Sequence, residues 1–494
     1  MATGSAGIGR VNGAPPGPRA PNRRRGGPCA LSWPAEPQPG EPPLRTTQVK
    51  RFALAAIAAV LLLTGALNVR SVIGGSDNRL WDADPSVPSA TDQLVGAAVR
   101  LPTQLDDQIV SLQDTLRARP NNGEAASLLG LAYLQKVRET GDPSYYPKAE
   151  KLFTHALDRN KQDLNALVGL GTLALARHDF AGALDWGQRA ATLNPYHAAA
   201  YGVIGDAQIE LGRYDDAVAT FQKMIDLRPD LTSYSRVSYA RELYGDVDGA
   251  IDAMQRAAMA GAGRRENVAW TQTQLGNLSF NKGDLDAAEI QYLASLTTLD
   301  GYVYGRAGLA RVAAARGDLP GAIDLFTQAI QTMPLPEFVI ALGDVYFASG
   351  QPDEAAKQYA LVEAMQQLYR QNGVDTDVEM ALFDADHDRN LDDALKQARA
   401  GYDKRPSIRT ADVLAWTLFK TGNARDAQPY SQEALRLGTK DALLHFHAGM
   451  IESALGNRDA AIAHLQQALD INPHFSIHSV PQAQAELTRL QPAS

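Results

Sequence analysis

Cysteine is almost absent from this sequence: Cys29 is the one thiol in 494 residues. No internal disulfide can form, and no zinc site built on cysteine is possible. The motifs of common hydrolases are missing too. There is no Gly-x-Ser-x-Gly elbow and no His-Glu-x-x-His pair, so neither a serine hydrolase nor a zinc peptidase of those types is encoded. Basic charge is scarce where it would matter for nucleic acid. The net charge is −9, yet residues 1–51 hold eight Lys/Arg against Glu36 and Glu41, a net of +6, so the rest carries −15. A body this acidic lacks the basic face that neutralises phosphates, and nucleic-acid binding is set aside.

Charge is also missing from Phe52 to Val69, eighteen residues flanked by Lys50, Arg51 and Arg70. As a helix this run spans roughly 27 Å at about 1.5 Å per residue, close to a bilayer's hydrocarbon thickness. The basic residues ahead of it favour keeping that end in the cytoplasm. The expectation is a single-pass membrane protein with its body on the extracytoplasmic side. The alternative is a cleaved signal peptide and secretion, with Thr64 and Ala66 as small residues near a cut. Residues 1–51 hold ten of the 27 prolines and are expected to be a disordered Pro/Arg-rich tail. No methionine separates Met1 from Met224, and a start at Val49 would instead place a short basic segment directly before the apolar run.

What the rest of the chain has is a period. Gly212-Arg-Tyr-Asp-Asp-Ala217, Gly245-Asp-Val-Asp-Gly-Ala250, Gly283-Asp-Leu-Asp-Ala-Ala288 and Gly317-Asp-Leu-Pro-Gly-Ala322 repeat one pattern, as do the stretches at Gly422 and Gly456. Gly283 to Gly317 is 34 residues, and so is Gly422 to Gly456. Before each turn come pairs such as Leu129-Gly130, Ile204-Gly205, Leu275-Gly276 and Leu342-Gly343. After it come an alanine and, four places on, Phe221, Tyr292, Phe326 or Tyr359; Pro195, Pro229, Pro334, Pro406 and Pro473 close units. A small residue lets two helices approach, the aromatic fills the gap beside it, and proline stops the second helix.

This Leu-Gly…Tyr…Ala…Phe…Pro pattern resembles the tetratricopeptide repeat (TPR) family. With an apolar run ahead of the repeats, the chain is similar to membrane-anchored members found in bacteria. The resemblance implies an all-α helix-turn-helix solenoid whose units lean on their immediate neighbours, and a function in partner binding rather than catalysis. Nine to ten units begin near Gly123, Leu164, Ala198, Leu231, Ala269, Val303, Pro336, Asp375, Ile408 and Ala442. The organisation expected is therefore a tail (1–51), a transmembrane or signal-anchor helix (52–69), a linker (70–88), N-terminal capping helices (89–122), the array (123–475) and a C-terminal capping helix and tail (476–494).

The stretch FDADHDRNLDDAL at Phe383–Leu395 imitates a calcium loop. Counting from Asp384, the sixth and twelfth places hold Arg389 and Leu395, where an EF-hand needs glycine and a bidentate glutamate. The repeat register explains the stretch better, with Asp388-Arg389-Asn390 as an inter-helix turn and Asp392 and Asp393 at the start of the next helix. Likewise Gly169-x-Gly171 has no strand before it and reads as helix packing, not a dinucleotide site. His445 and His447 are two apart and do not share a helix face. No metal, cofactor or small-molecule substrate is expected.

In TPR arrays the first helix of each unit lines the concave surface. Its second, fifth, ninth and twelfth places here include Tyr239, Trp270, Asn277, Phe280, Tyr304, Arg311, Phe347, Phe383, Trp416, Phe419 and Phe446. Aromatics are only 7% of the chain, so their concentration on one face points to a groove for a peptide or protein partner. Of these, Trp270, Tyr304 and Trp416 are expected to be partly exposed, with Phe221 and Phe326 in the core. The fifth places, from Val168 to Phe446, hold no lysine, which argues against the chaperone-tail type of carboxylate clamp. An aromatic-lined groove that handles a carbohydrate or envelope polymer is the alternative.

Overall fold

A computed structural model describes residues 103–261 and 265–491. The proline-rich tail, the apolar run 52–69 and the linker 70–88 lie outside the described residues. Among the described residues there are 22 helices and no strand, and no helix there is long and apolar enough to cross a membrane. Helix Thr103–Ala118 comes first and helix Ser479–Leu490 last. Between them twenty helices pair as ten antiparallel repeats.

Repeats 1 to 3 are Gly123–Thr140 with Tyr145–Arg159, Leu164–Ala176 with Phe180–Leu193, and Ala198–Glu210 with Tyr214–Leu227. Repeats 4 to 6 are Leu231–Leu243 with Val247–Ala260, Arg265–Asn281 with Leu285–Thr298, and Val303–Ala315 with Leu319–Thr332. Repeat 7 pairs Pro336–Ala348 with Pro352–Gln371, and repeat 8 pairs Asp377–Asp386 with Leu391–Lys404. Repeats 9 and 10 are Ile408–Lys420 with Ala424–Ala434 and Ala442–Ala454 with Arg458–Ile471. The second helix of repeat 7 runs 20 residues.

The glycine-acid turn works through two separate devices. Glycine ends the first helix in the left-handed region, with φ between 71° and 83° at Gly212, Gly245, Gly283, Gly317, Gly350, Gly422 and Gly456. In four repeats an aspartate just ahead of the second helix caps it. Asp179, Asp246, Asp284 and Asp318 each accept at 3.0 Å from the backbone N–H three residues on, satisfying one of the orphan donors of a helix start. Repeats 2 and 8 have no such glycine; repeat 2 turns through His178 at φ 60°, and repeat 8 through Asp388 and Asn390 at φ 52° and 44°.

The core is a row of second-helix aromatics, each set between small residues. A β-carbon on Gly276 or Gly308 would lie 2.5 or 2.4 Å from the Tyr292 ring. One ring therefore seals its own helix pair and the next repeat at once. Phe221 and Phe326 are buried in the same register, at 1% and 2% exposure. Deleting such a ring costs about 3–5 kcal/mol.

Contacts do not stop at the neighbouring repeat. The turn of repeat 1 (Gly141) meets Met333 and Leu335 at the end of repeat 6. Likewise repeat 2 meets the end of repeat 7, where His178 Nδ1 lies 2.7 Å from the Asp375 carbonyl oxygen and the Asp375 N–H donates to Arg177 O at 3.1 Å. Gly212 touches Pro406 and Ser407, Gly245 touches Gly438, and Gly283 touches Asn472 and Pro473. At five stations, then, the turn of one repeat meets the loop ending the fifth repeat after it. The solenoid coils on itself, and its second superhelical turn rests on its first. The expectation that units lean only on immediate neighbours is corrected: small rotations between successive repeats accumulate until distant ones touch.

Candidate functional site

Coiling encloses the concave face. Two adjoining cavities of about 620 Å³ and about 600 Å³ open onto it, and Gln274, Asn277 and Arg311 line both. Tyr239 and Trp270, each half-buried, line the second cavity; Tyr304, half-buried, lines the first. These residues come from the first helices of repeats 4, 5 and 6. The sequence register thus brings together Tyr239, Trp270, Asn277, Phe280, Tyr304 and Arg311.

Arg311 occupies the junction. Its guanidinium stacks 4.0 Å from the ring centroid of Phe280, itself buried at 3% exposure. Arg311 forms no salt bridge among the described residues. Burial pulls its pKa below the ordinary guanidinium value, because charge is costly in a partly dry site. Asn277 accepts from the Tyr292 hydroxyl at 2.8 Å, which uses its oxygen and leaves its amide N–H₂ as a donor on the cavity wall.

The far wall of the second cavity comes from the other superhelical turn. Arg405 there lies 3.3 Å from Glu379 and 3.8 Å from Glu210. Arg409 stacks 5.9 Å from Tyr239. Asp206 receives Arg236 in a bidentate pair at 2.8 and 2.7 Å. Burial outweighs that arginine and pushes the Asp206 carboxyl up to about 6. Glu242 is raised by burial and steadied by Asn281. The arrangement is rich in oriented donors, acceptors and ring faces, which equips it to hold a polar extended chain.

The other five residues of the stripe are elsewhere. Phe383, Trp416 and Phe446 are buried at 3%, 3% and 0% exposure, so the expectation of a partly exposed Trp416 is corrected. Its ring stacks on His447 at 4.1 Å and its Nε1–H donates to Asp386 at 2.8 Å. Phe419 stacks on Trp416 at 5.0 Å and packs into the same core. Phe347 is exposed at 55%. Sequence reasoning passed over Asp206, Glu242 and Arg409, although they stand at ninth, twelfth and second places of first helices. Weighting the aromatics hid them.

The acidic stretch disperses its charges. Asp386 accepts from Trp416, Asp388 pairs with Lys420 at 2.6 Å, and Asp393 pairs with Lys396 at 2.8 Å. His387 meets Asp344 at 2.8 Å. Gly169 and Gly171 lie within helix Leu164–Ala176, packed against Phe153 and Val203.

Tetratricopeptide-repeat family models match residues 144–198, 174–241, 307–371 and 413–474. These segments are tetratricopeptide repeats. Such repeats generally mediate protein–protein interactions, and their fold is typically a non-catalytic scaffold. No curated protein matches the sequence. Among solved structures, the chain is similar to one in the APC/C hetero-tetramer Cut9-Hcn1, at 16% identity over 81% of this chain and 83% of that one, with a TM-score of 0.35. A thermophilic TPR protein of Thermus thermophilus is similar at 22% identity over 39% of this chain and 97% of its own, with a TM-score of 0.34. Yeast Tom70 is similar at 13% identity over 73% and 95%, with a TM-score of 0.31.

Proposed function

We propose that this protein is a non-catalytic scaffold that receives an extended peptide segment of a protein partner on the concave face of repeats 4 to 6. One observation carries the reading: six residues picked from the sequence by register and side-chain type converge on two cavities that share Gln274, Asn277 and Arg311. Trp270 and Tyr239 offer ring faces, while Asn277 and Arg311 offer donors for backbone carbonyls or acidic groups of the guest. A few such anchors carry most of the energy of an interface.

A photo-cross-linking residue at Gln274, in cells making the full chain, tests the proposal. Cross-links should map to one peptide segment of a partner and fall at least tenfold in the Arg311→Ala and Trp270→Ala variants. Cross-links that are indifferent to both variants would overturn it, and capture of a polysaccharide instead would establish the carbohydrate alternative.

The scaffold is further proposed to be anchored by residues 52–69, with the array on the extracytoplasmic side. The charge-free run and its basic flank support this. Val60→Arg should cost about 2.5–3.5 kcal/mol of insertion and release the protein from carbonate-washed membranes. Retention of that variant would remove the anchor.

A further inference from the structure

The chain does not leave the solenoid when repeat 10 ends. Asn472 Nδ2–H donates to Phe280 O at 2.8 Å, and Pro473 rests against Gly283. From this fifth station, residues 474–478 cross the concave side as a non-helical turn before the last helix begins at Ser479. His474, Phe475, Ser476 and Ile477 form one wall of the cavity of about 620 Å³, opposite Tyr304 and Arg311.

The contacts of this segment are those of a guest side chain by side chain. Ile477 packs on the cluster of repeats 6 and 7 that contains Val303, Phe338 and Val345. The His478 ring stacks over His387 of repeat 8 at 5.7 Å and meets the exposed Phe347 of repeat 7 edge-on at 6.2 Å. Phe475 lies 5.8 Å from Phe446 of repeat 10. By contrast, its polar groups look inward. The N–H groups of His478 and Ser479 donate to Ser476 Oγ, and the N–H of His474 donates to Asn472 Oδ1. Among the described residues no hydrogen bond ties 474–478 to repeats 6–8. Lifting the segment away would therefore leave no buried backbone group of those repeats without its partner, so no penalty for unsatisfied polar groups opposes its release.

We infer that residues 474–478 are a resident occupant of the groove, and that an external peptide reaches the concave face of repeats 6 to 8 only by displacing them. The inference rests on the reading of the concave face of repeats 4 to 6 as a peptide site, which the same cavity continues past Tyr304 and Arg311 of repeat 6. It also states what the competing peptide looks like: an aliphatic side chain next to a ring, as Ile477 and His478 present.

The chain's own segment serves as the probe. A fluorescein-labelled peptide of residues 473–482, PHFSIHSVPQ, is titrated with the full chain and with its Ile477→Asp variant, whose segment cannot seat on an apolar cluster. The variant should bind the peptide at least tenfold more tightly than the unaltered chain. Equal affinity, or binding to neither, would overturn the inference. Should the variant lose its helical circular dichroism, the unaltered chain decides: hydrogen exchange at residues 476–480 should quicken when excess peptide is added, and unchanged exchange would equally overturn it. Neither readout involves the unidentified partner, so failure here leaves the cross-linking result at Gln274 to stand or fall by itself.

Discussion

The backbone N–H of Ile408 donates to the Tyr214 hydroxyl at 2.8 Å across 194 residues of sequence. Burial raises that phenol to about 12, so it stays neutral and accepts the N–H through an oxygen lone pair. Thr439 Oγ1–H donates to Leu243 O across 196 residues in the same way, one station further along. A solenoid bound this way is no longer a one-dimensional chain of neighbours. Loosening repeat 3 or 4 exposes groups in the loops ahead of repeats 9 and 10.

Two glycines with one backbone geometry measure this seam. Gly245 and Gly317 end first helices at φ 75° and 83°. A β-carbon at 245 would lie 2.3 Å from Gly438 O, whereas one at 317 would meet nothing within 4 Å. Gly317→Ala should cost only the left-handed conformation, about 1–2 kcal/mol. Gly245→Ala should cost about 1–3 kcal/mol more, through backbone overpacking. Hydrogen exchange in the Gly245→Ala variant should rise both in repeat 4 and near residues 436–441. Equal destabilisation, or exchange confined to repeat 4, would mean that the seam contributes nothing.

The repeat register was legible because each of its marks has a local cause: glycine for the turn, aspartate for the cap, and a small residue beneath each ring. Coiling was not. Gly212 and Gly245 carry the seam while Gly422 and Gly456 face open space, yet all four sit in the same motif. Superhelical closure is a sum of small rotations, and no single residue records it. The stripe divides between cavity and core for the same reason. A place in the helix says which way a β-carbon points, but not whether another layer of chain covers it. Trp270 points into a cavity, whereas Trp416 points at Asp386 and His447.

Trp416 should accordingly behave as core. Its replacement by alanine removes a buried ring and leaves Asp386 without its indole donor, for a loss of about 3–5 kcal/mol. Phe326→Ala should match it. Trp270→Ala, at a half-buried position, should cost less than half as much. Urea midpoints of the three variants decide the matter, and a Trp416→Ala midpoint at the unaltered value would return that residue to the list of groove anchors.

The last test concerns a pair hidden from the sequence by 35 residues of separation. His447 Nδ1 lies 3.0 Å from both carboxylate oxygens of Asp412, with the histidine at 0% and the aspartate at 5% exposure. The His447 Nε2 has no hydrogen-bond partner among the described residues. Burial works against a charge on this imidazole, but Asp412 in contact and Asp386 and Asp441 beyond it prevail, so its pKa is raised above the ordinary 6.5. A group raised on folding contributes stability that is fully present below its unfolded pKa and is lost as the pH climbs through the folded one. The pair should therefore be strongest below about pH 6.5 and fade above it. Asp412→Asn takes away the main charge that holds the proton, so burial then works against the imidazolium with only the more distant Asp386 and Asp441 to offset it. At pH 5.5 that variant should be less stable by about 3–5 kcal/mol, and the gap should narrow steadily toward pH 9. Chemical denaturation of both proteins across this range measures it. A gap that is constant, or that widens with pH, would show that His447 is neutral in the fold and that Asp412 is merely a hydrogen-bond acceptor.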